Sequence, residues 1–396
     1  MRRSVGVIIS LALASTGLLF GATTAGAVPA RHAAAPAATA PTPDYRAVCP
    51  PVPGVFTCRA LVRTDVHGLA KNGLPNGFGP ADLQSAYDLP SGLGSGVTVA
   101  ITGEGGYSAA ESDLATYRST YGLPACKIKT GCLTLVNEQG QPDPLPPDDR
   151  GWWGESALDM DMVSAACPLC KILYVEATPA EGDTGLLTSI NTAVGLGATI
   201  VTNSWGEYSS TPWGDKQYRK YFSHPGSVIL FASGDIGYGA AEPDSRLLVM
   251  VGSTSLTRAQ NDRGWSETVW GGSTSWCSTA NKTAKWMPKA GCSGRLMVDL
   301  ATVGDPRTGV AVYVGGRWGV EGGTSASSPF VAGIYALGGA SSTLKASRSL
   351  YEHPDAFYDV TTGSDGTCSP AIFCEAGPGY DAASGLGTPN GIAAFQ

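Results

Sequence analysis

Lys171-Ile-Leu-Tyr-Val175, Leu186-Leu-Thr-Ser-Ile-Asn-Thr-Ala-Val-Gly-Leu196 and Thr199-Ile-Val-Thr-Asn203 follow one another in a single stretch. The outer two segments are apolar runs of strand length, and the middle one carries helical periodicity. Strand, helix and strand in that order make a parallel βαβ unit with a right-handed crossover. The strands are continuously apolar rather than alternating, as expected when both faces of a sheet are covered. The pattern continues outward. Upstream, Val97–Thr102 reads as a buried strand, Ser108-Ala-Ala-Glu111 as a capping box opening a helix to about Tyr121, and Glu155–Ala166 as a helix. Downstream, Asp215–Phe222 reads as a helix, Val228–Ala232, Leu247–Val251 and Gly309–Val314 as strands, and Ser325–Leu337 as a helix. The expected fold is therefore α/β, a three-layer doubly wound sheet, mostly parallel. In such sheets the chemistry lies beyond the carboxyl ends of the strands.

Composition narrows the function. The 396 residues carry a net charge of −7, which opposes binding to nucleic acid. Only 15% of residues are charged and 43% are hydrophobic, which excludes a disordered polyelectrolyte. Arg2 and Arg3 precede an apolar run from Val5 to Phe20, followed by Ala25-Gly26-Ala27. That order describes a secretory signal peptide over residues 1–27, too short for a membrane span. An Ala/Pro-rich linker and a short N-terminal segment occupy residues 28–76, and a compact domain is expected over residues 77–396. The ten cysteines fall in close couples: Cys49 and Cys58, Cys126 and Cys132, Cys167 and Cys170, Cys277 and Cys292, Cys368 and Cys374. In an exported chain that pattern reads as disulfides, with connectivity open.

Three segments carry candidate chemistry. Gly322-Gly-Thr-Ser325-Ala-Ser-Ser-Pro329 leads glycines into a serine at the start of an apolar helix. Free N–H groups there can meet a developing oxyanion while the hydroxyl attacks a carbonyl; the plainer role for Ser325 is an N-cap. Glu155 and Asp159 stand at i, i+4, on one helical face, whereas Asp161 faces elsewhere. They are harmless surface acids unless they share a proton. Asp235, in Phe231-Ala-Ser-Gly-Asp-Ile-Gly237, follows an apolar strand, where a plain Gly/Asp turn would also fit. None of the four histidines stands in a motif that would aim it at Ser325, and no Gly-x-Ser-x-Gly string occurs. Gly103-Glu-Gly-Gly106 lacks the third glycine of a dinucleotide fingerprint.

In this order the three segments resemble the sedolisins, the serine-carboxyl peptidases of subtilisin-like fold. The resemblance implies Ser325 as nucleophile, Glu155 as general base, Asp159 orienting Glu155, and Asp235 as oxyanion partner. It also implies that Ser204, Trp205 and Gly206 pair with the substrate backbone. Asp359-Val360 and Gly377-Pro-Gly379-Tyr-Asp381 match the family's Ca²⁺ site, implying side-chain ligands Asp359 and Asp381 and carbonyl ligands Val360, Gly377 and Gly379. The expected protein is a secreted, extracellular endopeptidase, monomeric, acting on proteins or peptides at acidic pH, without nucleic-acid partners. The alternative is a catalytically silent extracellular binding protein. Sedolisins usually carry a large folded propeptide, for which residues 28–76 are too few. Asn281-Lys-Thr283 matches a glycosylation sequon.

Overall fold

A computed structural model of the chain describes residues 45–71, 73–179, 182–208, 215–240, 243–339 and 347–396, without the side chains of 215–217. The expected signal peptide lies outside them. In chain order the elements are β1 (Tyr45–Ala47), β2 (Thr57–Cys58), β3 (Leu61–His67), α1 (Pro80–Ala86), β4 (Thr98–Glu104), α2 (Ala110–Thr120), β5 (Leu133–Asn137), α3 (Trp153–Ala166), β6 (Lys171–Ala177) and α4 (Gly182–Gly195). There follow β7 (Ile200–Asn203), β8 (Trp205–Gly206), α5 (Asp215–Phe222), β9 (Val228–Ala232), β10 (Val249–Arg258), β11 (Trp265–Val269), β12 (Cys277–Ser278), β13 (Arg295–Leu296), β14 (Leu300–Val303), β15 (Val310–Val314), β16 (Arg317–Gly322) and α6 (Thr324–Leu337).

The main sheet runs β11-β10-β9-β7-β4-β6-β5, with β14 also paired to β10. All its pairings are parallel except β10 with β11. Its strands split their side chains between two apolar layers, as the period of two requires. Val99, Ile101, Ile172, Tyr174, Val228 and Leu230 enter the layer shared with α3 and α6. Ala100, Leu173, Val175, Ile229 and Phe231 enter the layer beneath α4 and α5. This is the expected three-layer α/β arrangement. Helices α3 and α6 pack directly on each other, and Gly333 sits against the Ala166 side chain where no Cβ would fit.

Several local expectations are corrected. Strand β15 leaves the parallel sheet for an antiparallel one ordered β1-β3-β16-β15. The described residues from Tyr45 onward therefore belong to one compact unit with the rest, which does not start near Gly77. Helix α2 starts at Ala110 without a side-chain cap. Ser108 turns instead to Asp148, and Glu111 accepts the Ile128 amide at 2.8 Å. Pro329 lies in the second turn of α6, which leaves the Ser325 carbonyl without its intrahelical partner. Asn281 is buried at 2% exposure and bonds to the Asp244 carbonyl, so the sequon offers no accessible amide. The ten cysteines pair within their sequence couples. Among the described residues no helix is long and apolar enough to cross a membrane.

Candidate active site

Strands β7 and β9 are parallel neighbours, so the segments leaving their carboxyl ends emerge side by side. Ser204 follows the first and Asp235 the second. The N-terminus of α6 comes up against them and carries Ser325. Its N-cap is Gly323, held at φ 91°, a backbone region that favours glycine. Ser325 is thus the second residue of the helix rather than its cap. It is fully buried, and its hydroxyl donates to Glu155 Oε2 at 2.9 Å and contacts the Ser204 carbonyl at 3.3 Å.

Glu155 and Asp159 face inward from α3, and both are buried. Ser204 Oγ donates to Asp159 Oδ1 at 2.6 Å, which fixes the second carboxyl. Burial pushes both carboxyls well above the usual range, and Glu155 is raised further by the Asp159 carboxylate one helical turn away. A bond from Ser325 works in the opposite direction on Glu155. Two carboxyls so placed ionise in two steps that belong to the pair.

Asp235 is clamped on one side only. Thr324 donates to Oδ1 from its amide at 2.8 Å and from its hydroxyl at 2.9 Å. Oδ2 is shut away from solvent and has no partner among the described residues, although the residue as a whole is only partly buried. Burial pushes this carboxyl up to about 7, against the lowering effect of the Thr324 bonds. Below that pH it is a neutral acid with one unengaged oxygen beside Gly323 and the mouth of α6.

Sequence reasoning passed over several neighbours. Asp161, read as facing elsewhere, is also buried and accepts the Tyr313 amide at 3.1 Å. Glu321, directly before the Gly322-Gly323 pair, is buried and pushed up to about 8, and its charge raises Glu155. Tyr208 accepts the Asp235 amide at 3.1 Å. Position beside the glycine pair could have flagged Glu321; Asp161 and Tyr208 carry no local signal. Trp205 turns its ring into the core, 5.0 Å from Phe56 and 4.9 Å from Phe231, so only the backbone of Ser204–Gly206 faces the cleft. His67, His224 and His353 bond to Thr64, Asn191 and Ser349, remote from this cluster.

Comparison with known proteins fits this geometry. Residues 153–341 match the Peptidase_S8 profile, the subtilase family. Kumamolisin of Bacillus sp. (strain MN-32) is 33% identical over 383 residues, an alignment covering 86% of this chain and 67% of kumamolisin. The chain belongs to the sedolisin family. It is a serine-type peptidase of subtilisin-like fold. Aorsin of Aspergillus oryzae is 38% identical over 104 residues, covering 24% of this chain and 15% of aorsin. Among solved structures, a Pseudomonas sedolisin, a serine-carboxyl proteinase complexed with pseudo-iodotyrostatin, superposes with a TM-score of 0.66 at 24% identity, covering 81% of this chain and 97% of that one.

At the C-terminal end, Asp359 Oδ2 accepts the Gly379 amide at 2.8 Å and Asp381 Oδ2 accepts the Gly377 amide at 3.1 Å. Two carboxylates thus close on one glycine loop, an oxygen-rich setting that fits a hard cation. Asp381 is pushed up to about 6 by burial. Among the described residues no three His, Cys, Asp or Glu side chains are placed together to hold a metal ion, so backbone carbonyls such as those of Val360, Gly377 and Gly379 would have to complete a site.

Proposed function

We propose that this sedolisin is a secreted endopeptidase that hydrolyses proteins or peptides at acidic pH through Ser325, Glu155, Asp159 and Asp235. The observation that carries this reading is the 2.9 Å bond from Ser325 Oγ to Glu155 Oε2, with Asp159 behind and no histidine of the described residues within the cluster. Ser325 Oγ attacks the scissile carbonyl, and its proton passes to Glu155. Once the pair has lost its first proton, the one that remains is shared between Asp159 and Glu155, and the Ser325 hydroxyl donating to Glu155 Oε2 favours the negative charge on the oxygen that faces it. The new oxyanion is met by the proton on Asp235 Oδ2. The C–N bond then breaks as Glu155 returns the proton to the departing amine, and water hydrolyses the acyl-enzyme by the reverse sequence.

Asp235 serves only while protonated, and the Glu155–Asp159 pair only after its first ionisation. The kcat/KM profile is therefore a bell, with its alkaline edge near the Asp235 value of about 7 and its maximum on the acid side. A profile peaking at pH 7 or above contradicts the proposal. Substrate is held by the Ser204–Gly206 backbone. Asp359 and Asp381 with the glycine-loop carbonyls would hold Ca²⁺, which supplies stability rather than a catalytic step.

A further inference from the structure

The cleft holds part of the chain itself. Strands β1 and β3 form an antiparallel hairpin, Tyr45 opposite Arg63 and Ala47 opposite Leu61, closed by a bond from the Val48 amide to the Ala60 carbonyl. The loop of this hairpin, residues 49–59, is tied at its base by the Cys49–Cys58 disulfide. Its return limb, β2, pairs antiparallel with β8, placing Thr57 opposite Gly206 and Cys58 opposite Trp205. That is the segment expected to pair with substrate, and added-strand pairing is a common way to grip an extended peptide.

Arg59 continues the register into the reactive centre. Its amide donates to the Ser204 carbonyl at 3.0 Å and to Glu155 Oε2 at 3.0 Å. Its carbonyl oxygen presses on Gly323, where any Cβ would collide with it, and the same Cβ position lies 2.8 Å from the unpartnered Asp235 Oδ2. The side chain is 2% exposed, an unusual place for a guanidinium unless the site is built for it. The site supplies the Ala232 carbonyl, which accepts from Nη1, and the Tyr208 ring, whose centroid lies 5.5 Å from the guanidinium carbon.

We propose that residues 49–59 are a built-in substrate loop, that the pocket formed by Ala232 and Tyr208 is the primary specificity subsite and takes arginine, and that Arg59–Ala60 is the first bond the enzyme cuts. The inference rests on Ser325 being the nucleophile, as proposed above. Ser325 Oγ adds to the Arg59 carbonyl carbon while its proton moves to Glu155. The bond to the Ala60 nitrogen breaks as that nitrogen takes the proton, and water releases the Arg59 carboxylate and restores Ser325. Residues from Ala60 onward stay in place through the pairing of β3 with β16, so the cut opens the cleft without dismantling the sheet. The released piece keeps its disulfide and its β1 contacts, and blocks the cleft as product until it leaves.

The test is acid incubation of the full chain at pH 4, with N-terminal sequencing over time, beside a panel of fluorogenic peptides varying only the residue before the scissile bond. Expected are a new N-terminus at Ala60, none in Ser325→Ala, and kcat/KM at least tenfold higher for arginine than for leucine or phenylalanine. Arg59→Leu should slow the self-cut at least tenfold while leaving peptide hydrolysis by the opened enzyme unchanged. Active enzyme that opens at another bond, or prefers an apolar residue at that subsite, overturns this inference and leaves the peptidase reading standing. A chain that neither opens nor hydrolyses any peptide at any pH overturns both.

Discussion

Replacing Asp235 by Asn isolates the acidity that distinguishes this peptidase from one using histidine. In the native site the Thr324 amide donates to Oδ1, so only an acceptor can stand there. The asparagine carbonyl must take that position, which leaves its NH₂ where Oδ2 points, beside Gly323. The variant thus keeps a donor aimed at the oxyanion at every pH. The wild type keeps one only below about pH 7. An ionised Asp235 at ~4 Å from an oxyanion, with an effective dielectric of ~20, costs about 4 kcal/mol, or roughly a thousandfold in rate. Deprotonated enzyme is therefore silent, and wild-type kcat/KM should fall about tenfold per pH unit beyond the edge. The variant should fall far less there. At pH 5 it should be weaker than wild type, by less than the ~10²–10³ that outright loss of an oxyanion donor costs. The ratio of variant to wild type should then climb about tenfold per unit above pH 7. The assay is kcat/KM on one internally quenched peptide from pH 3 to 9. Superimposable alkaline limbs would refute the assignment of Asp235, as would a variant as dead as Ser325→Ala throughout.

Other outcomes follow from the same groups. Glu155→Gln cannot accept the Ser325 proton and should abolish turnover while the folded circular-dichroism spectrum persists; retained hydrolysis contradicts its role as base. Glu321 is raised from 4.5 to about 8 by burial, so its neutral form is favoured in the folded state. Its contribution is complete below about pH 4.5 and is lost as pH rises through 8, a swing of roughly 5 kcal/mol. The melting temperature should therefore fall from pH 5 to pH 8, and Glu321→Gln should flatten that fall in calorimetry; an unchanged slope counts against the assignment. EDTA at pH 5 should lower the melting temperature and added Ca²⁺ should restore it, since a ligand of the native state stabilises by about 2.7 kcal/mol at a hundredfold excess over Kd. Indifference to EDTA removes the calcium proposal.

The physics of burial decides what could be read in the sequence. Strands β4, β6, β7 and β9 are covered on both faces, so their runs are unbroken and visible. Strand β3 is half-buried over Leu61–Arg63 and exposed at the adjacent Thr64 and Asp65, so it carries no such run, and its role depends on pairing with β16, hundreds of residues away. That is why the compact unit was expected to begin too late. Within the site, Ser325, Glu155, Asp159 and Asp235 were legible because each stands in a short local pattern. Arg59 was not: it lies in an undistinguished loop, and only the fold brings its carbonyl to Gly323. Asp161 does face away from the Glu155–Asp159 pair, but its burial carries no local signal, because it is the antiparallel sheet that covers that side of α3.

A fluorophosphonate reacts with a serine only when a neighbouring base takes up its proton, so it interrogates the Ser325–Glu155 contact without a peptide substrate. After acid incubation to clear the cleft, one adduct per chain should form, map to Ser325, extinguish hydrolysis in step with labelling, and be absent from Glu155→Gln. An adduct on any other residue, or labelling of Glu155→Gln at the wild-type rate, would contradict a carboxylate-driven serine nucleophile.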